Sequence, residues 1–300
     1  GIFRKFPENI NKTLIAAREL SVKDSSNVLC LFGFGEMDKK MFYTTCKYTK
    51  KVIFVRIIMS RKKILIVMAA GSGVRMGASV PKQFLDLGGV PILRRTIEKF
   101  IRAVPDIKVV TVLPKDHIPF WKEYCASSDF SCPQTLVTGG FTRFHSVRNA
   151  LEKVPEGAIV AIHDGVRPLV SATLIVNMFA RMESEGLHSL IPVVPSVDTL
   201  KVLDKMKDGS GHPYLVPADG ESVDRNRIFG AQTPQLFLSE DIKEAYSQPF
   251  DVAFTDDASV AAKKKIPLSF CEGERCNFKL TSPEDLDLAR LIISSSCRNL

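Results

Sequence analysis

The stretch from Ala69 to Gln83, which reads AAGSGVRMGASVPKQ, contains three glycines and two basic side chains. Glycines let the backbone come close to a ligand, and free backbone N–H groups can hold an anion. Arg75 and Lys82, seven residues apart, add two positive charges to the same loop. This combination predicts a binding site for a polyphosphate.

The glycine spacing of this loop excludes two better-known phosphate loops. A P-loop has a lysine directly after its last glycine, whereas Gly77 is followed by Ala78. A dinucleotide-binding loop has the spacing Gly-x-Gly-x-x-Gly and opens a helix. Gly71, Gly73 and Gly77 have one residue too many, and two prolines delay the next long helix to about Ile92. For the glycines alone, an ordinary surface turn is the alternative.

Two further segments place polar or charged residues directly after predicted strands. Thr138–Val147 combines two glycines with a hydroxyl-rich helix start, where N–H groups can face a ligand, although a simple helix cap explains it equally well. His163–Pro168 ends a buried strand and places Asp164 and Arg167 three residues apart. The functional interpretation puts Asp164 near a metal or substrate hydroxyls and Arg167 near a phosphate. A structural ion pair is the alternative.

These residues lie between elements that alternate strictly from Lys62 onward. Strands are predicted at 64–68, 107–113, 134–137, 158–163 and 189–194, and helices at 92–103, 117–127, 142–153 and 172–184. Such alternation indicates a parallel α/β sheet with helices on both faces, in three layers. Because open α/β sheets bind ligands at the carboxyl ends of their strands, the loop after Met68 is in a suitable place.

The alternation stops at Pro195. Two extended segments, 199–203 and 214–216, flank a turn at 208–211, which predicts a projecting β-arm at about 195–227. After the arm we expect an extended segment at 229–237, helices at 239–246 and 256–263, strands at 266–271 and 277–280, and a helix from 283.

Composition limits the classes of protein and of partner. Hydrophobic residues make up 45% of the 300 residues, enough for a large core. The net charge is +8, but residues 1–58 hold 11 basic and 5 acidic side chains. The remaining residues hold 30 basic and 28 acidic side chains, so most of the net positive charge lies in the first 58 residues. The body therefore has no basic stripe, and we expect no nucleic-acid partner. No apolar run is long enough for a membrane span, so no membrane partner is expected.

The seven cysteines and the first 58 residues carry predictions of location and domain organisation. The odd cysteine number, without a Cys-x-x-Cys pair, is typical of reduced thiols in a cytoplasmic protein.

Residues 1–58 contain no secretory apolar core and no clear amphipathic period. We expect them to be an extension outside a catalytic domain at 59–300, with Met59 as the natural start. A small accessory segment is the alternative.

The ordered motifs resemble those of the 2-C-methyl-D-erythritol 4-phosphate cytidylyltransferase family, from Lys62 to the last helix. The resemblance implies an α/β fold: a three-layer, Rossmann-like nucleotidyltransferase sheet, mostly parallel, with a projecting β-arm. It also implies transfer of a cytidylyl group from CTP to methylerythritol phosphate, with release of pyrophosphate, in non-mevalonate isoprenoid precursor synthesis. The alternatives are another alditol phosphate, such as ribitol 5-phosphate, and a non-catalytic nucleotide-binding protein.

The resemblance also implies roles for single residues. The catalytic residues are Arg75, Lys82, Arg225 and Lys279. The nucleotide-binding residues are Ala69, Ala70, Gly71, Gly73, Gly140 and Ser146. The substrate-binding residues are Asp164, Arg167, Thr199 and Arg225. Mg²⁺ is implied, bound mainly through the CTP phosphates, with Asp164 as the protein ligand.

The resemblance further implies a homodimer in which the arm crosses to the second subunit. Thr199 and Arg225 would then bind the alditol phosphate there. The segment after Gly139 matches the family at Gly140 and Ser146. Phe141 departs from the family pattern, since many relatives have a small or acidic residue there that contacts the ribose.

Overall fold

The computed structural model describes residues 32–33, 41–45, 52–56, 61–71, 80–218 and 223–296. The chain divides into two compact units, Gly1–Ser60 and Arg61–Leu300. In the first unit, three short strands form an antiparallel sheet in chain order. They are β1 (Phe32–Gly33), β2 (Met41–Thr45) and β3 (Val52–Arg56).

The second unit is built from ten described strands and seven described helices. Its strands are β4 (Lys62–Met68), β5 (Lys108–Leu113), β6 (Gln134–Thr138), β7 (Ala158–Asp164), β8 (Ser189–Pro195), β9 (Leu203–Lys207), β10 (Pro213–Pro217), β11 (Phe229–Ala231), β12 (Gln235–Leu238) and β13 (Phe270–Glu272). Its helices are α1 (Ile92–Ala103), α2 (Ile118–Ser127), α3 (Arg143–Leu151), α4 (Ala172–Ser184), α5 (Ser239–Tyr246), α6 (Asp257–Lys263) and α7 (Pro283–Ser296).

Eight of these strands form one mixed sheet with the order β11-β8-β12-β7-β4-β5-β6, and β13 pairs with β8. The strands β4 to β7 are parallel to one another, and β8 and β13 run in the same direction. Only β11 and β12 run the opposite way among these eight. The prediction of a mostly parallel α/β sheet is confirmed.

The central strand β4 shows why the sheet is covered on both faces. Leu65 and Val67 pack into one apolar cluster with α1, α2 and α4, whereas Ile64 and Ile66 pack into a second cluster with α3, α5 and α6. Successive side chains of a strand point to opposite faces, so an all-apolar strand requires a helical layer on each side. The arrangement has the three predicted layers.

The order of the strands creates a crevice at the site. From β4 the chain moves outward to β5 and β6, and then returns to place β7 on the other side of β4. The connecting helices α1 and α3 consequently lie on opposite faces of the sheet. Such a reversal leaves a gap at the carboxyl ends of the two central strands, where open α/β sheets bind ligands.

The arm is a separate two-stranded antiparallel sheet of β9 and β10. Its turn is closed by Asp208, whose Oδ1 accepts hydrogen bonds from the backbone N–H groups of Ser210 (2.9 Å) and His212 (2.8 Å). Asx turns of this type suit the short polar side chain of aspartate. Leu203, Met206 and Leu215 leave large apolar surfaces exposed on the arm.

The structure corrects several predicted boundaries. The segment 229–237 is two strands, β11 and β12, rather than one. The arm strand predicted at 199–203 begins at Leu203, and the strand predicted at 266–271 begins only at Phe270. The prediction of a strand at 277–280 was wrong: this segment is irregular, and Leu280 is tied to the chain by its N–H bond to the carbonyl of Val166.

Candidate active site

A cavity of about 550 Å³ opens at the carboxyl ends of β4, β6 and β7. Eight of the predicted site residues line it: Ala69, Ala70, Gly71, Lys82, Gly140, Ser146, Asp164 and Lys279. They come from segments that are far apart in the chain and meet only because their strands are neighbours in the sheet. Gly73 and Arg75 lie outside the described residues.

The Gln83 side chain hydrogen-bonds to the backbone at the beginning of the glycine-rich loop. This amide is 1% exposed, and its Nε2 donates hydrogen bonds to the carbonyl oxygens of Ala69 (2.7 Å) and Gly71 (3.2 Å). A buried amide with both bonds to the backbone fixes the path of the loop. Sequence reasoning gave Gln83 no role, although a polar side chain next to the buried Phe84 was a signal.

The second glycine pair makes close contacts that a side chain would prevent. A Cβ on Gly139 would lie 2.5 Å from the Cβ of Ala70, and one on Gly140 would lie 2.5 Å from the Cβ of His145. The Gly140 N–H donates to Ser146 Oγ (2.9 Å), and the Ser146 hydroxyl donates to the Thr142 carbonyl (2.9 Å). Ser146 therefore lines the cavity, but its hydroxyl holds the loop together.

Asp164 is the centre of charge in the cavity. Its Oδ2 lies 3.2 Å from Lys279 Nζ and 3.1 Å from Arg167 Nε. Burial by itself would raise the pKa of the Asp164 carboxyl, but the charges of Lys279, Arg143 and Arg167 outweigh burial and hold the pKa well below its usual range. The carboxylate is therefore ionised in the folded protein.

Arg167 and Lys279 differ in how far they reach the cavity. Lys279 lines it, and its side chain is 40% exposed. Arg167 is more buried and is not among the lining residues, since its guanidinium also donates to the carbonyl of Asn277 (2.8 Å). The direct contact of Arg167 with a phosphate stays a prediction.

His163 is buried in a chain of hydrogen bonds behind Asp164. The Asp164 N–H donates to Thr233 Oγ1 (3.1 Å), Thr233 Oγ1 lies 3.1 Å from His163 Nδ1, and His163 Nε2 lies 3.1 Å from the Arg167 carbonyl. Since that carbonyl only accepts, Nε2 carries a proton and Nδ1 accepts from the hydroxyl. Burial lowers the pKa of His163 to about 4. A neutral, fully occupied imidazole of this kind supports the strand end.

An ion pair at the wall of the cavity, which Arg143 lines, was missed by sequence reasoning. Arg143, at the start of α3, donates to both carboxylate oxygens of the fully buried Asp257, from Nη1 (2.8 Å) and Nη2 (2.5 Å). Tyr246 donates a further hydrogen bond to Asp257. The two charged residues are 114 positions apart, and the sequence pattern indicated only a helix cap near Asp257. The hydrogen bonds of Arg143, Asp257 and Tyr246 therefore join the start of α3, directly after the Gly139–Gly140 loop, to α5 and α6.

Lys82 and Lys279 give the cavity its positive character. Lys82 Nζ donates to the Leu280 carbonyl (3.2 Å), directly after Lys279, so both lysines approach the same edge of the cavity. Flexible ammonium groups suit a phosphate chain, because each is a compact positive charge with three hydrogen-bond donors. Among the described lining residues Asp164 is the only carboxylate, and the described residues contain no group of three or more metal-ligating side chains.

The two arm residues lie elsewhere. Thr199 and Arg225 are exposed and do not line the cavity of their own chain. Arg225 makes one long hydrogen bond to the carbonyl of Val197 (3.4 Å). The structure of one chain therefore brings the nucleotide-side residues together and leaves the arm residues apart from them.

Comparison with known proteins decides what this cavity belongs to. The family model described as IspD, 2-C-methyl-D-erythritol 4-phosphate cytidylyltransferase, matches residues 63–295. The chain belongs to this cytidylyltransferase family. Its members are CTP-dependent nucleotidyltransferases, so the predictions of the family, of an enzyme and of cytidylyl transfer to methylerythritol phosphate are confirmed.

Relatives and solved structures of the cytidylyltransferase family match over most of their length. A Porphyromonas gingivalis protein with the family's name is 43% identical over 238 residues, covering 79% of this chain and all of that protein. One from Bacteroides fragilis is 40% identical over 228 residues, covering 76% and 98%. The crystal structure of 4-diphosphocytidyl-2C-methyl-D-erythritol synthase from Anaerococcus prevotii has a TM-score of 0.61 at 25% identity, covering 78% and 99%.

Proposed function

We propose that the cavity binds CTP along the glycine-rich loop and holds it for attack by the phosphate of methylerythritol phosphate. The observation that carries this proposal is the meeting of Lys82 and Lys279 at one cavity with the small residues Ala69, Ala70 and Gly71, which begin the glycine-rich loop. A cavity that concentrates positive charge beside glycine backbone suits a triphosphate and a second phosphate together.

The chemistry needs positioning rather than a base. A phosphate oxygen of methylerythritol phosphate forms a bond to the α-phosphorus of CTP, and the bond from that phosphorus to the β-phosphate oxygen breaks, which releases pyrophosphate. The second pKa of a phosphate monoester is about 6, so the nucleophile is already ionised at neutral pH. The obstacle is the repulsion between two anions, which enzymes overcome by alignment and charge stabilisation.

The basic residues divide this task between the two phosphates. Arg75 and Lys82 hold the triphosphate and stabilise the charge that develops on the α-phosphoryl group. Arg225 and Lys279 hold the attacking phosphate in line, and Thr199 binds the alditol beside it. The ion pair between Lys279 and Asp164 supports this role, because it keeps the ammonium at the edge of the cavity.

Mg²⁺ fits the donor set of the cavity as an ion held mainly by the CTP phosphates. Mg²⁺ is commonly bound through one or two carboxylates together with substrate phosphates. Asp164 is ionised and would supply the single carboxylate. When bound, the ion neutralises charge on the triphosphate and the leaving pyrophosphate.

Three further proposals concern the setting of the enzyme. The exposed apolar side chains of the arm support a homodimer in which each arm reaches the other subunit's site. Arg167 contributes to the substrate site by orienting Asp164 and the segment that carries Lys279, beside the predicted direct contact with a phosphate. The described cysteines at 125, 132, 271 and 276 are free thiols, which supports a cytoplasmic location. None of the described helices has the length and apolar character to span a bilayer.

Pyrophosphate release measured with pairs of substrates tests the proposed function. We expect turnover with CTP and methylerythritol phosphate, and much lower kcat/KM with UTP, ATP or GTP. Ribitol 5-phosphate replaces methylerythritol phosphate in a parallel assay. A higher kcat/KM with ribitol 5-phosphate would transfer the proposal to the other alditol, and no turnover with CTP and either alditol phosphate would overturn it.

A further inference from the structure

The segment 273–280 brings Lys279 to the cavity, although it contains neither helix nor strand. Its path must therefore be fixed by bonds to other parts of the chain. Directly after Lys279, the Leu280 N–H donates to the carbonyl of Val166 (2.9 Å). Before it, the Asn277 carbonyl accepts from Arg167 (2.8 Å). The beginning of the segment has an anchor of its own, which is Glu274.

The Glu274 carboxylate accepts hydrogen bonds from both polar groups of Ser171. Its Oε2 accepts from the Ser171 backbone N–H (3.0 Å), and its Oε1 accepts from the Ser171 hydroxyl. Ser171 is the N-cap of α4, and its Oγ accepts from the Leu174 N–H (3.0 Å). A negative charge at a helix N-terminus is favourable, and its hydrogen bonds are strong. The carboxylate thus joins the segment 273–280 to the start of α4.

The backbone of Glu274 is fixed by the side-chain amide of Gln232. Gln232 Nε2 donates to the Glu274 carbonyl (2.8 Å), and Gln232 Oε1 accepts from the Glu274 N–H (3.1 Å). Gln232 is buried, and a Cβ on Gly273 would lie 2.6 Å from its Oε1, so the glycine permits this contact. Both the backbone and the carboxylate of Glu274 are therefore held in place.

The bonds between Glu274 and Ser171 connect the same two segments that form the ion pair at the cavity. Ser171 follows Asp164 on the connection from β7 to α4, and Glu274 precedes Lys279 on the segment 273–280. On these two segments Asp164 Oδ2 and Lys279 Nζ lie 3.2 Å apart. Loss of the bonds to Ser171 would therefore loosen the segment that sets the position of the lysine.

We propose that Glu274 is a positioning residue for Lys279 and that Gln232 holds it in that role. The inference rests on the proposed function, in which Lys279 holds the attacking phosphate. Glu274 is not among the described residues that line the cavity, so it acts through the lysine. Small errors in the position of reacting groups slow a transfer reaction strongly. Glu274 thus affects the use of methylerythritol phosphate and leaves the binding of CTP unchanged.

Kinetics and binding of Glu274→Ala test the inference. We expect kcat/KM for methylerythritol phosphate to fall about tenfold, whereas the Kd for CTP, measured by calorimetry, keeps its wild-type value. A general loosening of the fold would weaken both substrates. Glu272→Ala is the matched control, since it removes an exposed carboxylate from the end of β13, close by in the chain. The control is expected to have wild-type kinetics.

A double-mutant cycle with Lys279→Ala shows whether Glu274 acts through the lysine. In the Lys279→Ala background, Glu274→Ala is expected to cause no further loss of kcat/KM, because the group that it positions is absent. Thermal unfolding verifies that each variant is folded. If Glu274→Ala does not fold, Glu274→Gln takes its place in the cycle. Glu274→Gln keeps a carbonyl oxygen for the Ser171 N–H, and we expect a smaller loss from it.

Two results would overturn the inference and leave the proposed function intact. One is wild-type kinetics in Glu274→Ala, and the other is a pair of losses that multiply when Glu274→Ala and Lys279→Ala are combined. An equal loss of affinity for both substrates would also overturn it, in favour of a general structural role. Wild-type activity of Lys279→Ala would instead contradict the proposed function of Lys279, and the inference would fall with it.

Discussion

The ionised Asp164 shows how single residues prepare the cavity for anions. A lone carboxylate in a phosphate site would repel the substrate, but here it is matched by Arg167 and Lys279 and orients both. Lys82 approaches the same edge from another segment. The electrostatic role of each side chain therefore depends on its neighbours, and among the described residues the basic groups that line the cavity are Lys82, Arg143 and Lys279.

Loss of Lys82 should slow the transfer step. We expect Lys82→Ala to lower kcat about 10²-fold, because one preorganised donor to the developing charge is removed. Lys99→Ala is the control, since Lys99 is exposed on α1, away from the cavity. Steady-state pyrophosphate release compares the two variants. A kcat of Lys82→Ala close to that of the control would refute the role.

His163 should make the protein sensitive to mild acid. Its pKa is lowered to about 4, chiefly by burial, whereas an exposed histidine titrates near about 6.5. Between these two pKa values, His163 is protonated in the unfolded chain and neutral in the folded protein. The free energy of unfolding therefore falls as the pH falls. From about pH 7 to about pH 5 we expect a loss of about 2 kcal/mol in the free energy of unfolding.

Urea unfolding at the two pH values measures this loss. In His163→Gln we expect the loss between them to shrink by about the same amount, whatever the stability of the variant at neutral pH. Asp164 acts in a different window: its lowered pKa gives stability that is present above about pH 4 and is lost only below it. An unchanged pH dependence in His163→Gln would assign the effect to other groups.

At the scale of elements, the site depends on how closely the loops after β4 and β6 approach each other. The two loops come from parallel strands separated by β5, and Gly139 lets the second loop lie against Ala70 of the first. Gln83 and the ion pair of Arg143 with Asp257 then hold these loops to the layers beneath. The cavity is thus a property of the packing between elements.

Gly139→Ala should therefore destabilise the protein through one identifiable clash. The new Cβ would lie 2.5 Å from that of Ala70, and we expect a loss of about 1–3 kcal/mol in the free energy of unfolding. Ala70→Gly added to Gly139→Ala removes the opposing atom and should restore part of the loss. Gly209→Ala is the control, because nothing lies near its Cβ position. Additive effects of the two loop substitutions would contradict the clash.

At the scale of the whole molecule, the arm is the feature that a single chain leaves unexplained. It projects as its own two-stranded sheet with exposed apolar side chains, and it carries Thr199 and Arg225 away from the cavity of its own chain. Residues that serve a site from a neighbouring subunit would have this placement in a twofold-symmetric dimer.

Mixed dimers test whether Arg225 acts across the subunit boundary. We expect Lys82→Ala and Arg225→Ala to be nearly inactive alone. When they are mixed and allowed to exchange subunits, half of the dimers are mixed and each has one intact site, so about one quarter of wild-type activity should return. If Arg225 served its own chain, every site of the mixed dimer would lack one residue and no activity would return.

The N-terminal unit gives a second prediction at this scale. We propose that residues 1–58 lie outside the catalytic domain, which is supported by the compact unit at 61–300 and by the family match at 63–295. A protein of residues 59–300 is expected to have the thermal stability and kcat/KM of the full chain's catalytic unit. A truncated protein that fails to fold or loses activity would show that the N-terminal unit is required.

Local patterns were sufficient for the elements of the sheet and for much of the cavity lining. All-apolar runs such as Ile64–Met68 predicted buried parallel strands, because hydrophobic periodicity is set by near neighbours in the chain. The glycine-rich loop and Lys82 were found in the same way, from spacing. The strand predicted at 277–280 was wrong because this segment pairs with no strand: the Leu280 N–H bonds to the carbonyl of Val166, just after β7.

The amino-acid sequence by itself thus determined the order of elements, the layers that apolar strands require and the positive loop that meets a phosphate. Only the tertiary structure decided which residues meet: Gln83 under the loop, Arg143 on Asp257, and Lys279 on Asp164. The physical reason is that charge pairing and close packing depend on distances in space. Arg143 and Asp257 are 114 positions apart, and even Gln83 and Ala69 are 14 apart, so short-range patterns do not encode these contacts.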